Sequence, residues 1–299
     1  MNRLVANGLV YAALLAGSVV LLFPLWWMTA VSLLTEAEAR AAMSGTPQLI
    51  PDDPQWSNYP EALRAMGAAA AADADPDAAR ASDPWLGFKD ALANSVVITS
   101  LVVAANVLSC SLVGYAFARL PFRGSRALFL VTLATMMLPH QVTMIPLFLL
   151  FRSLGWIDTF LPLVVPAFFG TAFFIFLFRQ FFAQVPEELL EAARVDGASE
   201  IGVWWRIMLP ICKPAAAITA IFTFIWTWND FMNPLIYLHS PENFTLALAL
   251  NSFKGQFDPL NDAHLLMAAS VVTMIPCVLL FFAAQRHFVQ GLGAGAVKG

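Results

Sequence analysis

Long apolar runs alternate with short polar segments along this chain. Six of the runs are long enough to cross the hydrocarbon core of a bilayer, which takes about 20 residues of helix. They lie at about residues 9–34, 91–117, 127–151, 160–182, 214–238 and 265–282. This pattern predicts an all-α, polytopic membrane protein with six transmembrane helices.

The first apolar run could instead belong to a cleaved signal peptide. The apolar core of a signal peptide usually spans only about 7–15 residues, and this run is longer. Trp26 and Trp27 stand toward its far end, where aromatic rings favour a membrane interface. Residues 1–34 are therefore predicted to form an uncleaved first transmembrane helix.

A polar, acidic, Ala- and Pro-rich segment follows at residues 35–88. Its stretch 65–81 has low complexity (AMGAAAAADADPDAARA), and Asp residues together with Pro76 interrupt the alanines. Such a composition favours a mobile loop. The excess of acidic residues places this loop outside the cytoplasm.

Two of the apolar runs contain residues that are costly in lipid. Pro139 and Pro146 interrupt the third run, and prolines are tolerated there when neighbouring helices or water supply hydrogen-bond partners. Asn229 and Asp230 lie in the outer part of the fifth run. An ionisable residue at that depth either faces a polar pathway or serves a structural hydrogen bond, such as a helix cap. Both interpretations stay open for Asn229 and Asp230.

The positive charges orient the chain. Arg119, Arg123 and Arg126 form a short turn without an acidic residue, which is typical of a cytoplasmic loop. In this orientation the cytoplasmic side has ten of the 16 cations: Arg3, Arg119, Arg123, Arg126, Arg179, Arg194, Arg206, Lys213, Arg286 and Lys298. Both termini are then predicted to be cytoplasmic.

Residues 186–210 are too polar for the membrane although apolar runs flank them on both sides. Pro186 suits the first position of a helix, and acidic residues follow it where the helix dipole favours negative charge. Gly197 can adopt a positive φ and end this helix, and Ser199 can cap a second one. Pro210 is predicted to close the second helix. The segment is thus predicted to form a helix–turn–helix at the membrane surface.

The second helix of this segment is predicted to be amphipathic. Four residues at i, i+3, i+4 and i+7 form one apolar stripe: Ile201, Trp204, Trp205 and Met208. Any loop between membrane helices can fold into such a hairpin, so shape alone does not assign a function.

The spacing of residues 191–210 is more specific. Glu191-Ala192-Ala193, then three residues, Gly197, then nine residues and Ile207-Met208-Leu209-Pro210 resembles the EAA loop of ABC importer permeases. The resemblance implies that this loop docks into a cleft of a separate ATPase subunit. The coupling residues that it implies are Glu191, Ala192, Ala193, Asp196, Gly197, Ile207, Leu209 and Pro210.

Other motifs are similar to the maltose-type carbohydrate permeases. They are Asn94-Ser95, Gly114-Tyr115-Ala116-Phe117-Ala118-Arg119, Met137-Leu138-Pro139, Trp228-Asn229-Asp230-Phe231 and the segment from Gln285 to Gly299. The likeness covers nearly everything from residue 88 onward, and it implies a type-1 importer transmembrane domain at 89–286. It also implies that the cytoplasmic tail at 287–299 inserts at the ATPase dimer interface through Gly295, Val297, Lys298 and Gly299.

Composition excludes several other classes of protein. Hydrophobic residues make up 59% of the 299 residues and charged residues 12%, more apolar than one soluble core needs. The net charge of −4 gives no indication of nucleic-acid binding. The three cysteines and four histidines lack metal-ligand spacing, so no metal site is expected.

The chain has no Walker A motif. ATP hydrolysis is therefore expected in a partner, and this chain is expected to be neither an enzyme nor the holder of a cofactor.

The prediction from sequence is an inner-membrane permease subunit of a binding-protein-dependent ABC importer. The resemblance implies a sugar, oligosaccharide or sugar-like polyol phosphate as substrate. It implies three kinds of protein partner: an ATPase dimer that uses ATP and Mg²⁺, a second homologous permease, and an extracytoplasmic solute-binding protein. An ABC permease for amino acids or peptides is one alternative, and a secondary carrier without an ATPase is the other.

Overall fold

The structure, a computed structural model, describes residues 3–46, 48–74, 84–256, 258 and 261–296. Within these ranges every regular element is a helix, which confirms the all-α prediction. The α-helices are α1 (Arg3–Ser32), α2 (Glu36–Met43), α3 (Asn58–Ala74), α4 (Pro84–Arg119), α5 (Ser125–Thr135), α6 (His140–Ser153), α7 (Leu161–Val164), α8 (Ala172–Ala183), α9 (Glu187–Val195), α10 (Glu200–Val203), α11 (Leu209–Ile211), α12 (Lys213–Trp228), α13 (Met232–Tyr237), α14 (Leu246–Gln256) and α15 (Ala263–Ala296). Short 3₁₀ helices cover Val165–Phe169 and Pro241–Asn243, and a π-helical turn covers Trp204–Met208.

Length and composition allow four single membrane spans among the described residues: Asn7–Ser32, Gly87–Arg119, Leu161–Ala183 and Ala263–Gln285. Two further pairs of helices qualify together but are bent. Ser125–Thr135 and His140–Ser153 meet at 99°, and Glu200–Ile211 and Lys213–Trp228 meet at 81°. Up to six spans, the number predicted, result when each bent pair counts as one, although the second pair includes Glu200–Ile211, which the sequence predicts at the membrane surface.

The described residues form two compact units. The first comprises Met1–Lys89 and Leu248–Ile275. In it, Thr35 caps α2 in a capping box, since its side chain accepts from the Glu38 N–H and the Glu38 carboxylate accepts from the Thr35 N–H at 2.9 Å. The Asn58 side chain donates to the backbone oxygens of Ser32 (2.9 Å) and Leu34 (2.8 Å) and so ties the start of α3 to the end of α1.

The expected loop at 35–88 is therefore largely helical. α3 continues to Ala74, where the sequence predicted a mobile loop over 65–81, and this prediction was wrong for residues 65–74. Alanine has the highest helix propensity of all residues, and the run of alanines extends the helix that begins at Asn58. The rest of that stretch, residues 75–81, lies outside the described residues.

The second unit comprises Asp90–Ala247 and Pro276–Gly299. In it, α4 and α8 approach closely at Gly114, where an added Cβ would lie only 2.7 Å from the Cβ of Phe178. Only glycine fits this contact without a shift of one helix. The approach brings the end of α4 against the segment that leads into residues 186–211, called the hairpin below.

Several helix ends differ from the hydropathy boundaries. α12 ends at Trp228, ten residues before the predicted end of the fifth span, while α15 continues to Ala296, beyond the predicted sixth span. Hydropathy reports only which residues suit lipid, whereas a helix ends where its backbone hydrogen bonds end.

Candidate functional site

The first arm of the hairpin is α9. Pro186 lies at the N-cap with extended backbone (φ −57°, ψ 138°), one position before the predicted site, and Glu187 and Glu188 occupy the first turn. Their carboxylates lie where the helix dipole favours negative charge. Leu190 and Ala193 are the buried residues of this arm, so the opposite face of α9 is free to meet a partner.

Gly197 makes the turn between the two arms. Its φ is +83°, in the left-handed region that favours glycine. The Gly197 N–H donates to the Arg194 oxygen and the Ala198 N–H to the Ala193 oxygen, each at 3.0 Å, which is the Schellman pattern of a helix end. Ser199 then caps α10 by accepting from the Gly202 N–H at 3.2 Å. Each of these residues occupies the position that the sequence predicts for it.

The second arm continues past the residue that was expected to end it. After α10 the chain makes a π-helical turn at Trp204–Met208, in which the Leu209 N–H donates to the Trp204 oxygen, and the helical path runs through Pro210 to Ile211. The prediction that Pro210 closes this helix was wrong. Pro210 follows directly on the turn whose hydrogen bonds are already shifted to i−5, so its missing N–H does not stop the chain there.

The predicted apolar stripe is divided between the core and the surface. Trp204 and Met208 are 8% and 0% exposed, whereas Ile201 and Trp205 are 69% and 52% exposed. Neighbouring residues such as Trp204 and Trp205 lie about 100° apart around a helix, so one edge of a stripe this wide can face the core while the other edge faces outward. The single stripe was therefore a wrong prediction, because half of it faces the protein's own core and half faces outward.

The buried residues of the hairpin pack against the membrane helices of the same unit. One apolar cluster joins the end of α4, the length of α8, both arms of the hairpin and the start of α12. Its buried members are Cys110, Tyr115, Phe174, Ile175, Phe178, Phe182, Val185, Leu190, Ala193, Val203, Trp204, Met208, Cys212 and Ala215. The hairpin is therefore packed directly against these helices.

Five polar side chains reinforce this attachment, and we refer to them as the clamp. Arg119, the last residue of α4, forms an ion pair with Glu187 at 2.7 Å, and Glu187 also pairs with Arg194 at 3.1 Å. Arg194 pairs with Glu200 at 2.9 Å across the turn, and the Tyr115 hydroxyl donates to the same Glu200 carboxylate. The hydrogen bonds to Glu200 and then to Glu187 raise the pKa of Arg194 above its ordinary value.

Arg119 also holds backbone at the entrance to the hairpin. Its Nε and Nη2 donate to the Phe182 oxygen at 3.0 and 2.6 Å, and Nη2 donates to the Val185 oxygen as well. These oxygens lie at the end of α8 and just beyond it, where helix carbonyls lack their usual i+4 partners. The sequence indicated Tyr115 only as part of a family motif, and Arg119 only as part of that motif and of the cationic turn. Two partly buried contacts, between residues 85 and 63 positions apart, give them their role.

The residues expected to couple to an ATPase divide into two groups. Five are exposed on the hairpin: Glu191, Ala192, Asp196, Gly197 and Pro210. Ala193 is buried, and Ile207 and Leu209 pack against the apolar cluster. The first group can touch a partner, while the second shapes the hairpin from inside.

Asn229 and Asp230 lie at the far end of α12 from the hairpin, roughly 24 Å along a helix of 16 residues. Asn229 donates to the Ile225 oxygen at 2.8 Å and contacts the Cys277 sulfur at 3.7 Å. Asp230, one residue before the N-cap Phe231, accepts from the Asn233 N–H at 3.2 Å and from the Asn233 side chain at 2.7 Å, and so satisfies an N–H group in the first turn of α13. The structural role left open for these residues is thus present, and Asp230 in addition lines a cavity.

A second polar cluster holds the segment 239–246. Asp158 has a φ of +61° and accepts from the backbone N–H groups of His239 and Ser240, both at 2.9 Å, and from the Ser240 hydroxyl. Burial alone would raise the pKa of Asp158, but the hydrogen bonds from Ser240, His239 and Asn243 outweigh it and lower the pKa to about 2. From α4, Asn94 donates to the Glu242 oxygen at 2.7 Å, and Ser95 accepts from the Leu246 N–H at 2.7 Å.

The remaining expected residues belong to the tail. The backbone of Gly295 lies within α15, and Val297, Lys298 and Gly299 lie outside the described residues. In the part of the chain that the structure describes, no group of three or more His, Cys, Asp or Glu side chains is placed to hold a metal ion.

Comparisons with known proteins agree with these features. Residues 110–293 match the family model described as the binding-protein-dependent transport system inner membrane component. The arabinooligosaccharides transport system permease protein AraQ of Halalkalibacterium halodurans is 39% identical over 72% of this chain and 74% of its own length. The trehalose/maltose transport system permease protein MalG of Thermococcus litoralis is 32% identical over 94% of this chain and 93% of its own length.

A solved structure shares the fold. It is a chain of the crystal structure of a bacterial ABC transporter involved in the import of the acidic polysaccharide alginate, with a TM-score of 0.75 and 24% identity. The match covers 96% of this chain and 99% of that one, so the likeness extends over nearly the whole fold.

Proposed function

The chain belongs to the family of binding-protein-dependent transport system inner membrane components, and we propose that it is a permease subunit of an ABC importer for a sugar or oligosaccharide. Members of this family are multi-pass inner-membrane transporter subunits and not enzymes. They work with an ATPase and a solute-binding protein, and a second permease completes the pathway.

The hairpin is the observation on which the proposal depends. It is a polar helix–turn–helix between apolar segments, and the clamp and the apolar cluster hold it firmly against α4 and α8. A force applied to its exposed face is therefore transmitted to membrane helices. Its exposed residues combine Glu191 and Asp196 with the apolar Ile201 and Trp205, the mixed surface that a groove on a partner protein can bind.

We infer the working cycle from this attachment. Two ATPase subunits close on ATP, draw the hairpins of both permeases inward and thereby favour the outward-facing state. ATP acts only through its different affinity for the two states. This chain holds no cofactor itself, because ATP and Mg²⁺ are bound by the ATPase. The tail residues Gly295, Val297, Lys298 and Gly299 are proposed to insert between the two ATPase subunits.

The proposal also includes an orientation and a substrate class. The hairpin, the turn at Arg123 and both termini lie in the cytoplasm, and the segments around α2, α3 and α14 lie outside. The substrate class follows from the relatives, whose names specify arabinooligosaccharides, trehalose and maltose, and, for MelC of Bacillus subtilis at 31% identity, melibiose, raffinose and stachyose.

The first experiment is a mild-detergent pull-down of the tagged chain from its native membrane, with mass spectrometry of what co-purifies. We expect an ATPase, one homologous permease and a solute-binding protein. Recovery of the chain alone, from membranes that still show its transport activity, would instead indicate an autonomous carrier.

The substrate is then tested with the complex reconstituted in liposomes. The uptake panel is radiolabelled arabinotriose, trehalose and melibiose, with glutamine and a dipeptide as non-sugar controls. ATP-dependent uptake of at least one sugar, and of neither control, is expected. Uptake of glutamine or of the dipeptide alone would contradict the substrate class while leaving the importer assignment intact.

A further inference from the structure

Three successive apolar segments of the second unit interrupt their helices. The third span breaks between Thr135 and His140, where its two halves meet at 99°. The fourth passes from α7 through the 3₁₀ turn Val165–Phe169 before α8 begins, and the fifth breaks between Trp228 and Met232. Broken backbone is tolerated at membrane depth only where it is buried in protein or lines a water-filled cavity.

The three breaks border the same cavity. It has a volume of about 270 Å³, and each interrupted segment contributes to its wall: His140 after the first break, Pro166 in the second, and Thr227, Asp230 and Asn233 around the third. Three breaks around one space indicate a built cavity with a mixed polar and apolar wall, because independent packing defects would not converge.

The lining combines polar and aromatic groups in fixed positions. The Asp230 carboxylate is held by the backbone N–H and side chain of Asn233, so it keeps one orientation and retains further lone pairs for a ligand. Tyr237 packs edge-on against Phe151 with ring centroids 5.4 Å apart, and both rings line the cavity. Hydroxyl and carboxamide groups of Thr227 and Asn233 complete the polar side.

A carbohydrate matches this combination of groups. Its hydroxyls can donate to a carboxylate and exchange hydrogen bonds with hydroxyl and amide groups, while its C–H faces pack against aromatic and proline surfaces. The carboxylate of Asp230 repels an acidic sugar or a phosphate. The volume is close to the lower limit of about 300 Å³ for small-molecule pockets, so it fits one sugar unit and not a whole oligosaccharide.

We propose that this cavity binds one neutral sugar unit of the transported substrate, with Thr227, Asp230 and Asn233 as its polar contacts. The proposal rests on the proposed function, because it takes the substrate to be a carbohydrate. It places part of substrate recognition in this chain itself, within the outer half of the membrane segments.

Two threonines of α12 provide a matched test. Thr227 lines the cavity, while Thr223, one turn earlier on the same helix, is buried, does not line it and has a hydroxyl without a hydrogen-bond partner in the structure. Thr227→Val and Thr223→Val each replace a hydroxyl by a methyl group. Uptake kinetics are measured in the reconstituted complex with arabinotriose, or with the panel sugar that the wild type transports, alongside ATP hydrolysis.

Thr227→Val is expected to raise KM about three- to tenfold, which is what the loss of one hydrogen bond to the sugar costs. The ATPase rate and kcat stay near wild type, and Thr223→Val leaves KM unchanged. Equal KM values for Thr227→Val and wild type would overturn the proposal, and so would equal increases in both variants. Failure of the wild type to take up any panel sugar would contradict the proposed function itself, a separate result.

Thiol labelling tests contact directly. In a Cys277→Ala background, where the remaining Cys110 and Cys212 are buried, Thr227→Cys is expected to react with a small charged methanethiosulfonate reagent and to be protected by the transported sugar. Thr223→Cys is the control and is expected to stay unreactive. Labelling of Thr227→Cys that the sugar does not slow would count against the site.

Discussion

Gly197 shows how one residue can determine the shape of the hairpin. Its φ of +83° lies in the left-handed region, and an added Cβ would meet no heavy atom within 4 Å. A substitution is therefore opposed by backbone strain alone and not by a clash. For ordinary L-residues that strain is about 1–2 kcal/mol, and it is larger for β-branched side chains.

We expect Gly197→Val to reduce sugar uptake at least tenfold while ATP hydrolysis by the complex continues, because the distorted turn displaces the docking face. Asn tolerates the left-handed region, so Gly197→Asn is the matched control and should keep most of the uptake. The measurement is uptake and ATPase rate of reconstituted complexes with equal amounts of permease. Normal uptake by a well-expressed Gly197→Val complex would show that the turn does not matter for coupling.

Asp158 fixes the segment 239–246 by charge. Because its pKa in the folded protein is about 2, below the ordinary value near 3.9, its ionised form stabilises the folded state. Linkage gives the sign of the effect. The contribution is fully present above about pH 4 and is lost as pH falls through 2.

Asp158→Asn should accordingly lower the thermal unfolding midpoint at pH 6, by an amount that reflects about 1–3 kcal/mol for hydrogen bonds to a charged group. The difference from wild type should shrink as pH approaches 2. Asp90→Asn makes the same chemical change at an exposed position and should shift the midpoint little at any pH. A difference for Asp158→Asn that does not depend on pH would show that shape and not charge holds the segment. Thermal scans at several pH values in detergent provide the comparison.

At the scale of elements, the hairpin is attached to the membrane helices by two means. The apolar cluster buries the inner face of the hairpin. The clamp fixes the orientation of the hairpin, because its contacts from Tyr115 and Arg119 to Glu200 link α4, α9 and α10 in one arrangement. Each partly exposed ion pair contributes only about 0.2–1 kcal/mol. The clamp therefore serves to orient the hairpin more than to stabilise the fold.

Arg194 is the central residue of the clamp, so Arg194→Gln should loosen the hairpin without unfolding the unit. We expect uptake to fall several-fold, ATP hydrolysis to lose its dependence on the binding protein, and the thermal midpoint to change by only a few degrees. Arg206→Gln, on the exposed face of the same hairpin, is the control for loss of a positive charge. Equal effects of the two substitutions would indicate that Arg194 acts through general charge and not through the clamp.

At the scale of the whole molecule, exposed apolar surface is the main feature. Residues along α1 and around the break between α5 and α6, such as Leu21 and Met137, are among the most exposed large side chains. Such a surface is stable only against lipid or another membrane chain. The positive charges at Arg119, Arg123 and Arg126 then decide which side faces the cytoplasm.

This orientation can be tested with two cysteines, introduced one at a time in a Cys277→Ala background in which the remaining Cys110 and Cys212 are buried. Asp53→Cys, outside by the proposal, should react with a membrane-impermeant maleimide in right-side-out vesicles. Arg123→Cys should react only after the vesicles are opened. The reverse labelling pattern would show that the topology is inverted. The hairpin would then lie outside the cytoplasm and could not contact a cytoplasmic ATPase.

What the amino-acid sequence determined by itself is local. Gly197, Ser199 and the acidic residues after Pro186 act through their own backbone and their nearest neighbours, so their positions predicted the turn and the caps. The apolar runs predicted the spans because transfer into lipid depends on composition over about 20 residues. The motif spacings indicated the family because each motif lies within one continuous segment of the chain.

Only the tertiary structure decided the remaining features. Trp204 is buried while its neighbour Trp205 is exposed, the breaks at His140 and Asp230 meet at one cavity, and Tyr115 reaches Glu200 across 85 positions of sequence. Neither the hydrophobic period nor the helix propensity of a segment predicts these contacts. Each contact depends on which side chain from a distant part of the sequence packs at that place. The hairpin was therefore predictable as a shape, whereas its attachment, through which it can move the membrane helices, was not.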